Sequence, residues 1–190
     1  MGELRRRAVH ASGSALPLAY LLDARLAVGL LTWERLRWLL VLGTLCVAVL
    51  EVFRLAGHVD WRIFDALTRE YEQDNVAGYA LYAVGMTVAA WAFPTNAALA
   101  AMFMLTVGDP VSGLVSSGGL SKKGPVLLIM FAVCGLLALP FVRPLAALAG
   151  ALVATLADGF KPVVATYVID DNLTIPIGGG TAMTLVLAVL

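Results

Sequence analysis

Charge is what this sequence has least of. Only 14% of its 190 residues are Asp, Glu, Lys or Arg, where an ordinary soluble domain carries about a quarter. No charged residue occurs from Asn75 through Gly108, and further uncharged runs cover 11–22, 38–50, 124–142, 144–157 and 172–190. A water-soluble core cannot absorb so much apolar side chain without large exposed patches, so a bilayer is the solvent this composition suits. A formal net charge of zero gives no bulk attraction to nucleic acid. Aromatics make up 8% of the chain and are not interleaved with basic residues, so there is no base-stacking platform. Only two cysteines occur, Cys46 in "LGTLCVAVL" and Cys134 in "FAVCGLL". Neither has a CxxC partner or a nearby His, and both read as small buried hydrophobes.

What is present is a series of apolar segments. A helix needs roughly 20 residues to cross the hydrocarbon, with about 17 the usual lower limit. The runs predict an all-α, polytopic transmembrane bundle in a single domain, 1–190. Seven helices are expected, at 8–22, 36–54, 76–93, 95–108, 125–142, 144–158 and 173–190. Pro94 divides the longest uncharged stretch in two. Residues 24–37 read as an amphipathic interfacial piece, with Trp33 and Trp38 suited to the headgroup level. The opening "MGELRRRAVHASGSALPLAYLL" has the outline of a signal peptide, but Glu3 and His10 interrupt it and further apolar runs follow.

Threading seven spans with the N-terminus in the cytosol puts Arg5, Arg6, Arg7, Arg54, Arg62, Arg69, Lys122, Lys123 and Lys161 on the cytosolic side. Arg25, Arg35, Arg37 and Arg143 fall on the other. Nine basic residues against four agree with the positive-inside rule. The same threading collects "ELRRRAVH", "LEVFR", "REYEQDN", "VGDP", "LSKKG" and "IDDN" on one face. Such a gathering of both signs suits a charged substrate at the membrane surface.

Each segment has a plain reading beside a chemical one. Arg6 and His10, four apart, share a helical face; the arginines alone are an ordinary anchor, but anchoring needs no imidazole. Glu51 and Arg54 are spaced as a local ion pair. Asp74 or Asn75 is placed to cap the helix that follows. Asp109 lies at a membrane edge, where a carboxylate needs a partner or a metal. The Gly/Ser-rich stretch from 107 to 124 can wrap phosphate oxygens with its backbone, with Lys122 and Lys123 supplying charge, although it contains no Walker A pattern. Asp170, Asp171 and Asn172 offer hard oxygens of the kind Mg²⁺ takes beside nucleotide phosphates. Asp171 or Asn172 serving merely as the cap of the last helix is the plain alternative. Gly178–Gly180 form a small-residue surface for another helix or a lipid.

In order and spacing, "ELRRRAVH", "EVFR", "REYEQDNVAGYALYAVG", "GDPVSG" and "DDNLTIPIGGG" resemble the CTP-dependent lipid-alcohol kinases: dolichol kinase, phytol kinase and the CTP-dependent diacylglycerol kinase. A looser likeness extends to phosphatidate cytidylyltransferases. The resemblance implies an integral membrane enzyme that moves the γ-phosphoryl group of CTP to the hydroxyl of a polyprenol- or diacylglycerol-type lipid. It implies a divalent metal, Mg²⁺, on Asp109, Asp170 and Asp171. It implies phosphate contacts from Arg6, Arg7, Arg54, Lys122, Lys123 and Asn172, and a catalytic set of Asp109, Asp171 and His10. Asp109, Asp171 or His10 would serve as base, with Asp109 placed first. The chain departs from the family where "SSGGLSKKGPVLL" lacks a Lys-[ST]-x-Glu-Gly-Ser sequence. Two other readings are a CDP-lipid synthase and a small transporter, the latter opposed by the lack of repeated halves. The expected partners are a membrane lipid and a nucleotide, with no nucleic acid, and assembly into an oligomer is left open.

Overall fold

The uncharged runs fold as helices. The computed structural model describes residues 2–59, 61, 64, 67–68, 72–116, 122–164 and 167–190. In chain order the helices are α1 (Gly2–Ser12), α2 (Ala15–Leu26), α3 (Trp33–Leu55), α4 (Gly78–Ala92), α5 (Thr95–Val115), α6 (Gly124–Ala138), α7 (Pro144–Gly159) and α8 (Asp171–Val189). A short antiparallel hairpin, β1 (Val163–Val164) with β2 (Tyr167–Val168), joins α7 to α8. Among the described residues, three helices are long and apolar enough to cross a membrane: α3 with 23 residues, α5 with 21 and α8 with 19. α4, α6 and α7 are equally apolar but have 15, 15 and 16 residues. At 1.5 Å per residue they reach about 23 Å.

α5 is the central helix. Every residue from Ala97 to Thr106 is buried, and four of the first five are small alanines that let neighbouring backbones close in. α7 and α8 form the most extensive helix pair, and α8 also packs on α4 and α5. The glycine run of α8 packs against other parts of the chain. A Cβ on Gly180 would strike the Phe93 ring, and one on Gly179 would crowd Met104. α3 lies at the periphery, with Trp38, Leu42, Leu45 and Val49 exposed.

Several expectations change. The 8–22 span is two helices, broken at Gly13 and Ser14. The Tyr82 hydroxyl occupies the space that a Cβ on Gly13 would need, and it donates a hydrogen bond to the His10 carbonyl at 3.2 Å. The chain therefore bends around Tyr82. Residues 24–37 are not one interfacial helix: α2 ends at Leu26, and α3 starts at Trp33 with Thr32 as its N-cap. α4 is not capped by Asp74 or Asn75. Glu51 of α3 accepts the Ala77 N–H at 2.6 Å and the Tyr79 hydroxyl, so a tertiary contact does the capping. Cys134 is buried, but Cys46 is exposed on the outer side of α3, among apolar side chains that no other helix covers. Arg62, Arg69 to Tyr71 and Ser117 to Ser121 lie outside the described residues.

Candidate functional site

Three apolar helices each bring one carboxylate to the same end of the bundle. Asp109 comes from α5, Asp158 from the last turn of α7 and Asp171 from the first turn of α8. One oxygen of each lies within 4.8 Å of the others. The side chains of Asp158 and Asp171 are 0% and 1% exposed, against 16% for Asp109. Like charges this close raise one another's free energy steeply unless cations intervene. Two ammonium groups do so. Lys122 pairs with Asp158, reaches Ser112 Oγ at 3.0 Å and lies 3.9 Å from Asp109. Lys161 pairs with Asp171 at 2.6 Å. Ser112 also donates to Asp158 at 2.6 Å.

Local backbone geometry sets Asp109. Residues Met104–Gly108 form a π-helical turn, in which the Asp109 N–H bonds the carbonyl five residues back, at Met104. Such turns recur at functional sites because they turn a side chain out of the regular helical register. His10 Nε2 lies 3.0 Å from the Leu105 carbonyl in this turn and 3.6 Å from Asp109. A carbonyl only accepts, so Nε2 carries the hydrogen. Burial lowers the His10 pKa below its usual value, with the Asp109 carboxylate pulling the other way. His10 is therefore built to hold the turn and Asp109, not to take a proton at Nε2.

The expected site residues separate into groups. His10, Asp109, Lys122 and Asp171 come together. Asp170 does not join the carboxylate cluster: it is the N-cap of α8, accepting the Asn172 N–H at 2.9 Å and the Asn172 side-chain amide. This leaves Asp171 to face the lysines. Arg6 lines a cleft with His10 and Asn172, and Arg7 lies against Gly113 on α5. Arg54 is engaged elsewhere. It clasps Glu51 and the carbonyls of Glu72, Gln73 and Asn75, locking the entry to α4. Lys123 is exposed. Asp158 and Lys161 were not expected as site residues. The signal for Asp158 was the one that singled out Asp109, a carboxylate ending an apolar run, in "ATLADGF".

The donor set suits a hard cation. Direct ligation to Mg²⁺ at about 2.1 Å holds ligand oxygens at most about 4.2 Å apart, so a spread of up to 4.8 Å leaves room for one ligand to act through water or for a larger cation. Two further oxygens support a polar interior here. Thr106 Oγ1 and Thr155 Oγ1 are buried without a hydrogen-bond partner among the described residues, three positions before Asp109 and Asp158. No protein-family model, curated protein or solved structure matches the chain.

Proposed function

We propose that the chain is a CTP-dependent kinase of a membrane lipid alcohol, working at the cytosolic face. The observation that carries this reading is the Asp109–Asp158–Asp171 cluster with Lys122 and Lys161, at the end of a bundle whose exterior is apolar. Sequence resemblance supplies the choice of CTP and of a polyprenol- or diacylglycerol-type acceptor.

The bundle is proposed to cross the bilayer seven times with its N-terminus in the cytosol. α3 runs from Trp33 to the Glu51–Arg54 pair that braces α4, and Tyr20 of α2 meets Trp33 at the opposite end, ring to ring at 5.3 Å. His10 stands beside Asp109. The chain passes from one end of the bundle to the other between His10 and Trp33, which supports counting α2 as the first crossing despite the break at Gly13. The basic-residue asymmetry supports the orientation.

Phosphoryl transfer asks chiefly for positioning and charge neutralisation. A divalent cation held by Asp109, Asp158 and Asp171 would supply charge neutralisation for the triphosphate. Lys122 and Lys161 balance the carboxylates, and the Arg6 and Arg7 guanidinium groups supply further positive charge on the α1 side. Asp109, the most accessible carboxylate of the three, takes the acceptor's proton as its oxygen bonds to the γ-phosphorus and CDP leaves. His10 and the π turn hold Asp109 in place for that transfer. The products are a lipid phosphate, CDP and one proton.

The test incubates membranes carrying the chain with a long-chain alcohol and γ-labelled CTP. Label extracted into the lipid phase supports the kinase. Label released as pyrophosphate overturns it in favour of a CDP-lipid synthase. Replacing Asp109 or Asp171 by Asn is expected to abolish transfer without preventing membrane insertion, and near-normal turnover by either variant would remove the carboxylate assignment.

A further inference from the structure

A cleft separates α1 from the first turns of α4. One face of α1 lines it with Arg6, Val9 and His10, spaced three and four apart, and α4 supplies Gly78, Tyr79 and Tyr82. Asn172 forms part of its wall, next in sequence to Asp171 of the carboxylate cluster. The cleft has a cavity volume of about 90 Å³ and opens to solvent, which is below the usual range for a whole small-molecule site and suits one end of a longer ligand.

Hydrogen-bonding capacity identifies its ligand. Asn172 is 4% exposed, and its Oδ1 has no hydrogen-bond partner among the described residues. The orientation of the amide is set, because its nitrogen must donate to the Asp170 carboxylate. Gly78 makes room for that amide: a Cβ there would stand 2.9 Å from Nδ2. Arg6 brings a guanidinium to the cleft, and the neutral donors around it are committed. Tyr79 donates to Glu51, Tyr82 to the His10 carbonyl, and His10 Nε2 to the Leu105 carbonyl. A cavity of this size is too small for a whole nucleoside but admits the hydroxyl end of a longer molecule. A buried acceptor left unsatisfied costs about 1–3 kcal/mol, and a single hydroxyl donor would remove that cost. Val9 is exposed and apolar, and Leu67 adds a second aliphatic wall.

We infer that the α1–α4 cleft is the acceptor site, taking the hydroxyl end of a long-chain lipid alcohol onto Asn172 Oδ1 while its hydrocarbon passes out beside Val9. This rests on the lipid-alcohol reading of the preceding subsection and deepens it. The hydroxyl docks with its one hydrogen on Asn172 Oδ1 and turns that hydrogen to Asp109, the proposed base, for transfer; His10 of the cleft wall lies 3.6 Å from Asp109. The nucleotide is left to approach from the Lys122 and Lys161 side of the carboxylates.

The experiment uses the full chain in phosphatidylcholine nanodiscs with a hexadecanol analogue bearing a diazirine near its hydroxyl. Irradiation followed by peptide mapping is expected to place label on residues 6–10 and 78–82. Unlabelled hexadecanol should compete for that label and CTP should not. Val9→Trp fills the outer end of the cleft from an exposed position, and should lower labelling and raise the KM for the alcohol at least about tenfold, leaving the KM for CTP unchanged. Label confined to the exposed face of α3, displacement of cleft label by CTP, or an unaltered Val9→Trp would each overturn the site. Should Val9→Trp fail to fold, the wild-type label map decides alone. Competed cleft labelling without any transfer from γ-labelled CTP would uphold the site and sink the kinase. Transfer with label elsewhere would do the reverse.

Discussion

Replacing Asp158 by Asn tests the carboxylate cluster where its geometry is tightest. Two carboxylates up to 4.8 Å apart repel by about 3.5 kcal/mol or more at an effective dielectric of about 20. The substitution relieves the repulsion from Asp109 and Asp171 and forfeits the attraction of Lys122. It does not strand Lys122, which keeps Ser112 at 3.0 Å and Asp109 at 3.9 Å. These opposing changes nearly cancel, so basal stability should move by less than about 2 kcal/mol. Response to a divalent cation should change much more. A cation at a hundred times its Kd stabilises the folded state by about 2.7 kcal/mol, which for a chain of this size raises Tm by about 5 °C or more. Thermal unfolding in detergent, with and without Mg²⁺ or Mn²⁺, reads this directly. The wild type should show the rise and Asp158→Asn less than half of it, with phosphoryl transfer reduced at least about a hundredfold. A wild type indifferent to both metals, or a variant with the full shift, would refute the cation site.

Three further outcomes are expected. Lys122→Met breaks a nearly buried ion pair and should cost about 3–5 kcal/mol in thermal stability, whereas Lys123→Met should stay within about 0.5 kcal/mol; equal effects would disprove the distinction between them. Gly85→Ala drives a methyl into the Asn172 backbone carbonyl, which cannot swing aside, and should cost about 1–3 kcal/mol in the same assay; an unchanged Tm would show that α4 and α8 are not held this close. Because burial depresses the His10 pKa below 6.5 against the pull of Asp109, the stability tied to its neutral ring is full above that pH and is lost as pH falls through the folded value. His10→Gln retains an N–H for Leu105 without titrating, so unfolding followed from pH 8 to 5 should show a loss in the wild type that the variant lacks.

The apolar runs of the sequence were enough to establish helices at 36–54, 76–93, 125–142, 144–158 and 173–190 to within a few residues, because uncharged stretches of that length leave the backbone few other ways to satisfy its own hydrogen bonds. Asp109 and Asp171 were visible for a related reason: a carboxylate at the edge of an apolar run requires a partner. Asp158 met the same criterion and was overlooked amid the small residues of α7. What the sequence could not specify was how the polar residues would be shared out. Asp170 and Asp171 are neighbours with the same chemistry, yet one caps α8 and the other meets Lys161, because a helix start turns successive side chains in different directions. Arg54 and Lys122 are both cations at helix ends, and only packing sends one to brace α4 and the other among the carboxylates. The break at Gly13 depends on Tyr82, a residue far along the chain. Hydropathy is a property of each segment and is written locally, whereas the partner of a charge is chosen by whichever helices pack together, and that choice exists only in three dimensions.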